Sequence, residues 1–180
     1  MSDDEGATPR EVVVEACRRD QPHLIEQIQE EHYVNKDEEF AEFINGVTDS
    51  MGNHALHICA MYGSYDAMDR LFDIYHFECD PQNRIDKDTP LHLAVLYANE
   101  KDANVGMRMI EMMLEAGCDP RVKNKHGKKP IDFTVPQHVE VKTALFKAEY
   151  ILQEFENVDN NSSSDGEPTD DEDGNTDARR

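Results

Sequence analysis

Apolar side chains recur along this chain at a helical period, in short stretches separated by polar turns. From Arg10 to Arg19 the apolar positions are Val12, Val13 and Ala16, and Pro9 stands at the first helical position, where a missing N–H costs nothing. Asp20-Gln21-Pro22 turns the chain into a second predicted helix, His23 to Glu31, with Leu24, Ile25 and Ile28 inward and Gln27, Gln29, Glu30 and Glu31 toward water. A short extra helix is predicted within Lys36–Ile44, where Phe40, Phe43 and Ile44 pack on the stack, or Phe40 and Phe43 offer a hydrophobic hook to a partner. Further helices are predicted near Ala55–Tyr62, Tyr65–Tyr75 and Leu91–Ala98, with another ending at Met112-Met113-Leu114-Glu115-Ala116-Gly117. A long closing helix, Val139 to Glu156, carries Val141, Ala144, Leu145, Ala148, Ile151, Leu152 and Phe155 on one stripe.

The helix starts repeat. Thr89-Pro90-Leu91-His92-Leu93-Ala94 combines a capping hydroxyl, a proline at the first helical position and an apolar anchor. Asn53-His54-Ala55-Leu56-His57-Ile58-Cys59-Ala60 is a variant of it, and Lys129-Pro130-Ile131-Asp132-Phe133 a degraded copy. Cys79-Asp80-Pro81 and Cys118-Asp119-Pro120 are a second echo. On these motifs the chain resembles the ankyrin-repeat family, whose unit of about 33 residues is a turn plus two antiparallel helices. The resemblance implies an all-α solenoid of four units with short β-like finger turns over residues 9–156. Its parts are a capping repeat with an insertion (9–48), repeats at 49–82 and 83–121, and a C-terminal capping repeat (122–156). The anchors Leu56, Leu91 and Ile131 lie 35 and 40 residues apart. The surplus of the second gap is assigned to Asn99–Gly106, a polar connection predicted between the helices of the third unit. His54-Ala55 replaces the family's Thr-Pro, Lys87 stands where the finger glycine belongs, Ala98 replaces a helix-ending glycine, and Gly127 restores the finger glycine.

Charge changes the picture more than composition does. The 180 residues, 38% of them hydrophobic, leave room for one domain plus tails, and the net charge is -21. Residues 157–180 hold eight acids against Arg179 and Arg180, which leaves -15 on residues 1–156. That segment and residues 1–8 are expected to be disordered. So acidic a chain is expected to be a monomer that avoids direct contact with nucleic acid and anionic membrane and favours a basic protein partner. With no C-x-x-C pair, no apolar leader and no run near 18 apolar residues, a cytoplasmic or nuclear protein is expected.

His54, His57 and Cys59 are three potential metal ligands within six residues, the sharpest enzyme-like signal present. The resemblance instead implies that His57, like His92, is a buried imidazole bonded to backbone of the adjoining finger, and that Cys59 and Cys118 are packing thiols. No phosphate-cradling loop, nucleophile elbow or His-Glu-x-x-His pair occurs, so no catalytic residue, cofactor or metal is nominated.

A concave protein-binding face is what the family implies. Its finger tips would be Ser50, Met51 and Asn53, then Ile85, Asp86 and Asp88, then Lys125, His126 and Lys128. Its helix positions would be Met61, Tyr62, Leu96 and Tyr97, with Tyr62 and Tyr97 either stacked along the face or sealing neighbouring helices. Arg121, Lys123, Lys125, Lys128 and Lys129 gather five cations that either solubilise the last finger or are screened by the acidic tail folding back.

The implied function is a non-catalytic scaffold or escort. The plan of acidic stack and acidic tail is similar to that of fungal ankyrin chaperones of a basic ribosomal protein, in which acids neutralise the client until RNA offers denser charge. A signalling adaptor or kinase-inhibitor-like protein would use the same face through shape, and a metal-dependent enzyme would rest on His54, His57 and Cys59. Ser162, Ser164 and Thr169 have acids three residues on, a pattern suited to an acidophilic kinase such as casein kinase two. Labelling by such a kinase is expected in this tail and lost when all three are alanine; an unlabelled tail in the native chain refutes the assignment.

Overall fold

The computed structural model describes residues 6–161; residues 162–180 of the expected tail, with Ser162, Ser164 and Thr169, lie outside them. Its helices are α1 (Pro9–Arg19), α2 (Pro22–His32), α3 (Asp37–Asn45), α4 (Ala55–Tyr62), α5 (Tyr65–Phe72), α6 (Pro90–Glu100), α7 (Ala103–Glu115) and α8 (Val139–Asn161), with a 3-10 turn at Pro130–Phe133. Among the described residues no helix is long and apolar enough to cross a membrane, and the sole β feature is a bridge between Thr48 and His54.

Paired helices α1–α2, α4–α5 and α6–α7 pile side by side. An inner row runs α1, α4, α6 and the 3-10 turn, and an outer row runs α2, α5, α7 and α8. No pair can bury its apolar flank alone, so the core is continuous from unit to unit. Val13, Leu56 and Leu91 are fully buried at matching places in the inner row. Ile131, at the end of the row, is half-buried against the same core.

Local chemistry sets the ends. Thr8 and Glu11 cap α1 reciprocally, with Glu11 N–H on the threonine hydroxyl at 3.3 Å and Thr8 N–H on the carboxylate at 2.8 Å. Asp20 leaves α1 in the left-handed region and accepts the Ala67 N–H at 2.7 Å, so a turn of the first unit caps α5 of the second.

The structure corrects several expectations. Asn99–Gly106 is not a polar connection between helices: α6 continues to Glu100 and α7 begins at Ala103, with Asp102 capping the N–H groups of Asn104 and Val105 at 2.9 and 3.0 Å. Ala98, a strong helix former in place of a helix-ending glycine, lets α6 run on, and the surplus residues lengthen both helices. Gly106 permits their crossing, because a Cβ there would lie 2.4 Å from that of Ala98. The hydrophobic hook is also absent. Phe40 and Ile44 are fully buried, while Phe43 is half-buried and stacks on Tyr33 at 5.3 Å. Helix α5 stops at Phe72, before Tyr75. The fourth unit has only the 3-10 turn in its inner row, where Pro136 forecloses a longer helix. Helix α8 continues through residues 157–161, expected to belong to the tail.

Gly106→Ala therefore separates two effects of opposite sign. Helix propensity favours alanine by about 1 kcal/mol, whereas overpacking costs about 1–3 kcal/mol. A lowered urea midpoint, partly restored by Ala98→Gly, is the expected outcome; a raised midpoint would contradict the close crossing.

Candidate protein-binding face

Each finger is wound around one Asx side chain. The Asp49 carboxylate accepts the N–H groups of Met51 and Asn53, both at 2.9 Å. Asn83 Oδ1 accepts those of Asp86 and Asp88 at 3.1 and 3.2 Å, and Asn124 Oδ1 those of His126 and Lys128 at 2.9 and 3.0 Å. The left-handed residue needed to close each loop is Gly52, Lys87 or Gly127, at φ 83°, 58° and 71°. A lysine in that region is strained where glycine is not.

The fingers are laced to one another. Asn83 Nδ2 donates to Asn53 Oδ1 at 3.2 Å, and Asn124 Nδ2 to Asp88 Oδ1 at 2.8 Å. The Arg84 and Lys125 N–H groups donate to the carbonyls of Gly52 and Asp86 at 3.3 and 2.9 Å.

Behind the fingers sit two buried imidazoles. His57 Nδ1 accepts the His54 N–H at 3.2 Å, so Nε2 carries the proton and donates to the Asp88 carbonyl at 2.8 Å. His92 repeats this one unit on, accepting the Thr89 N–H at 3.1 Å and donating to the Lys128 carbonyl at 2.9 Å. Thr89 caps α6 as the sequence suggested, in a capping box with His92, and its hydroxyl also donates to His92 Nδ1 at 2.8 Å. Burial, chiefly, holds the His57 pKa down at about 4 and lowers that of His92, so both rings are neutral.

The expected contact residues divide accordingly. Ser50, Met51, Met61, Tyr62, Ile85, Lys125, His126 and Lys128 are exposed. Asn53 and Asp88 are not available, since both are buried in the lacing between fingers. Leu96 and Tyr97 are half-buried. Tyr97 lies on Gly63, where a Cβ would come within 2.2 Å of the phenol oxygen, so it seals two helices together. Among the described residues its ring does not pair with that of Tyr62. Half-exposed Asp86 is held at 2.7 Å by Lys125, which keeps its carboxyl below the usual range.

The cationic run is largely neutralised within the fold. Arg121 bridges Asp119 and Glu156 at 2.9 and 2.8 Å, Lys125 holds Asp86, and Lys129 pairs with buried Glu149. Only Lys123 and Lys128 lack a carboxylate partner among the described residues.

The supposed metal ligands are engaged elsewhere. His54 Nδ1 meets the Asn45 carbonyl at 3.0 Å, and Cys59 is fully buried beside Cys17, its thiol pushed up by burial. Among the described residues no three His, Cys, Asp or Glu side chains group as a metal cluster. The hydrogen bond from Cys118 lowers the Cys79 thiol and raises its own. Sequence reasoning passed over the Asx residues, although Asp49 and Asn124 each stand three positions before a glycine, a turn signal in its own right.

The family model for ankyrin repeats, in three copies, matches residues 13–124. The ankyrin repeat-containing protein YGL242C of Saccharomyces cerevisiae is 34% identical over 168 residues, covering 93% of this chain and 92% of its own. Shorter similarities join part of this chain to small parts of much longer proteins. Alpha-latrotoxin-Lt1a of Latrodectus tredecimguttatus is 29% identical over 76 residues, 38% of this chain and 5% of the toxin. The zinc finger CCCH domain-containing protein 56 of Arabidopsis thaliana is 29% identical over 80 residues, 44% of this chain and 11% of its own.

Because His57 folds with a depressed pKa, its stabilisation is complete above the unfolded value near 6.5 and is lost as pH falls toward about 4. The loss amounts to about 3 kcal/mol. Urea midpoints of the native chain should fall across that window, and His57→Gln should be less stable at neutral pH with a flatter profile. Parallel profiles would mean that the imidazole is not held neutral.

Proposed function

Because the chain belongs to the ankyrin-repeat family, whose members are generally protein-interaction modules and typically non-catalytic, we propose that this stack holds a basic partner protein on the face made by its finger tips and inner helices. The observation that carries this reading is a row of exposed apolar side chains on a stiff support. Met51, Met61, Tyr62 and Ile85 are 52%, 40%, 52% and 48% exposed, while the fingers and helices beneath them are fixed by buried hydrogen bonds. Apolar groups held in water without a partner mark contact sites, and methionines adapt to varied surfaces. The net charge of -21 supports a basic client and keeps copies of the chain apart as monomers. On this reading the protein escorts its client, covering cationic surface until a denser polyanion displaces it. The proposal extends to the cytosol or nucleus, where the four free thiols stay reduced.

A signalling adaptor or kinase-inhibitor-like role is the second reading. It is favoured by the apolar character of the row, since contacts through shape need no opposite charge. Affinity capture from cell extract, repeated at rising salt, distinguishes the two. The escort reading expects basic proteins that elute as salt rises and are lost with Met51→Asp and Ile85→Asp. Salt-resistant capture of non-basic proteins on the same residues selects the adaptor, and capture indifferent to both substitutions overturns the face itself.

A further inference from the structure

Of the twelve large apolar side chains exposed among the described residues, six lie on α8: Val139, Phe146, Tyr150, Ile151, Phe155 and Val158. The stripe read from sequence is thus only half used. Val141 and Leu145 are buried against the stack, but Ile151 and Phe155 are 41% and 67% exposed. Between the C-terminal part of α7 and α8 runs a groove of about 370 Å³, floored by Leu114, Cys118, Ala144, Ala148, Ile151 and Leu152. Glu111 and Glu115 line its α7 edge, and Lys147 stands on the α8 side. The groove belongs to the outer helix row and shares no residue with the finger tips.

We propose that this groove docks a cationic amphipathic helix of a partner protein, its apolar side on Ala148 and Ile151 and its cations against Glu111 and Glu115.

Three observations select that occupant. The walls are helices, whose backbone groups are already paired along the helix, so an added strand would find no edge to bond while an amphipathic helix needs only the apolar floor. A second copy would bring a charge of -21 against -21. Residues 162–180 are not suited to fill the groove, because they contain no large apolar side chain. That same segment carries Asp165, Glu167, Asp170 and Asp171, so the negative charge that favours a basic ligand does not rest on the rim alone. Shape and charge together specify a ligand that is greasy on one side and basic on the other.

The test titrates the full chain with a helical Leu/Lys amphipathic peptide and with its Leu/Glu counterpart, followed by amide chemical shifts. The proposal expects Leu/Lys binding with shifts at residues 111–118 and 144–155. It expects a loss of about tenfold or more in affinity, equivalent to about 1.4 kcal/mol, for Ile151→Asp with Phe155→Asp. A smaller loss and a shallower salt dependence are expected for Glu111→Lys with Glu115→Lys. Met51→Asp with Ile85→Asp should leave this binding unchanged, which keeps the result separate from the fate of the finger face. Because Ile151 and Phe155 are exposed, an unchanged urea midpoint verifies that the aspartates spare the fold. Shifts confined to the fingers, equal binding of the Leu/Glu peptide, or a dimer in sedimentation that Ile151→Asp dissolves would each overturn the assignment.

Discussion

A neutral imidazole wedged between units is the contact on which this architecture depends. His57 accepts from the backbone that starts its own helix and donates to the Asp88 carbonyl of the next finger, and His92 does the same for the finger after that. Each ring therefore fixes how a helix is entered and where its neighbour's finger stands. Both sites are buried, so an orphaned carbonyl or ring nitrogen would cost the desolvation of that group, about 1–3 kcal/mol. The Asx side chains extend the same logic outward, since Asn83 and Asn124 order their own loops while donating to Asn53 and Asp88. Two residues that look like contact residues by position are consumed in this way. The face they support is stiffer for it.

What could be read in advance follows from the range of the interactions concerned. Helix starts at Pro9, Ala55 and Pro90 were legible because caps, prolines and apolar spacing are local, and the histidine roles came with the repeat they belong to. The α6–α7 connection was not legible, because Gly106 looks like a turn residue until Ala98 is known to lie against it. Tyr97 was ambiguous for the same reason: its place depends on Gly63, thirty-four residues earlier. The partners of the cationic run were not legible, because Asp86 comes from the neighbouring finger and Glu149 and Glu156 from α8. Sequence periodicity finds that a helix has an apolar stripe; it does not count the neighbours available to cover it.

That last distinction explains the asymmetry between the two ends of the stack. At the N-terminal end α2 turns Gln27, Glu30 and Glu31 to water, as the outer surface of a terminal unit must if stacking is to stop there. At the other end the inner helix has shrunk to one 3-10 turn, so α8 packs chiefly on α7 and that turn. Its first half is held by Val141, Leu145 and the Lys129–Glu149 pair, and farther along Arg121 ties Glu156 to the base of the last finger. Helix α8 is thus anchored by polar ties along one side while its remaining apolar residues have no match within the described chain.

The relation to known repeats sharpens the point. The family model ends at residue 124, short of α8, whereas the yeast similarity leaves only 12 residues of this chain uncovered and so must run through it. The sequence similarity to the yeast protein thus extends past the generic repeat into the segment that forms α8 here. A terminal helix that merely ended the stack would do so at lower cost with a polar outer side, because exposed Phe146, Tyr150 and Phe155 gain nothing from folding and invite aggregation. Their exposure in so acidic a chain is physically consistent if the net charge guards against self-association while leaving that surface open to a partner of opposite charge.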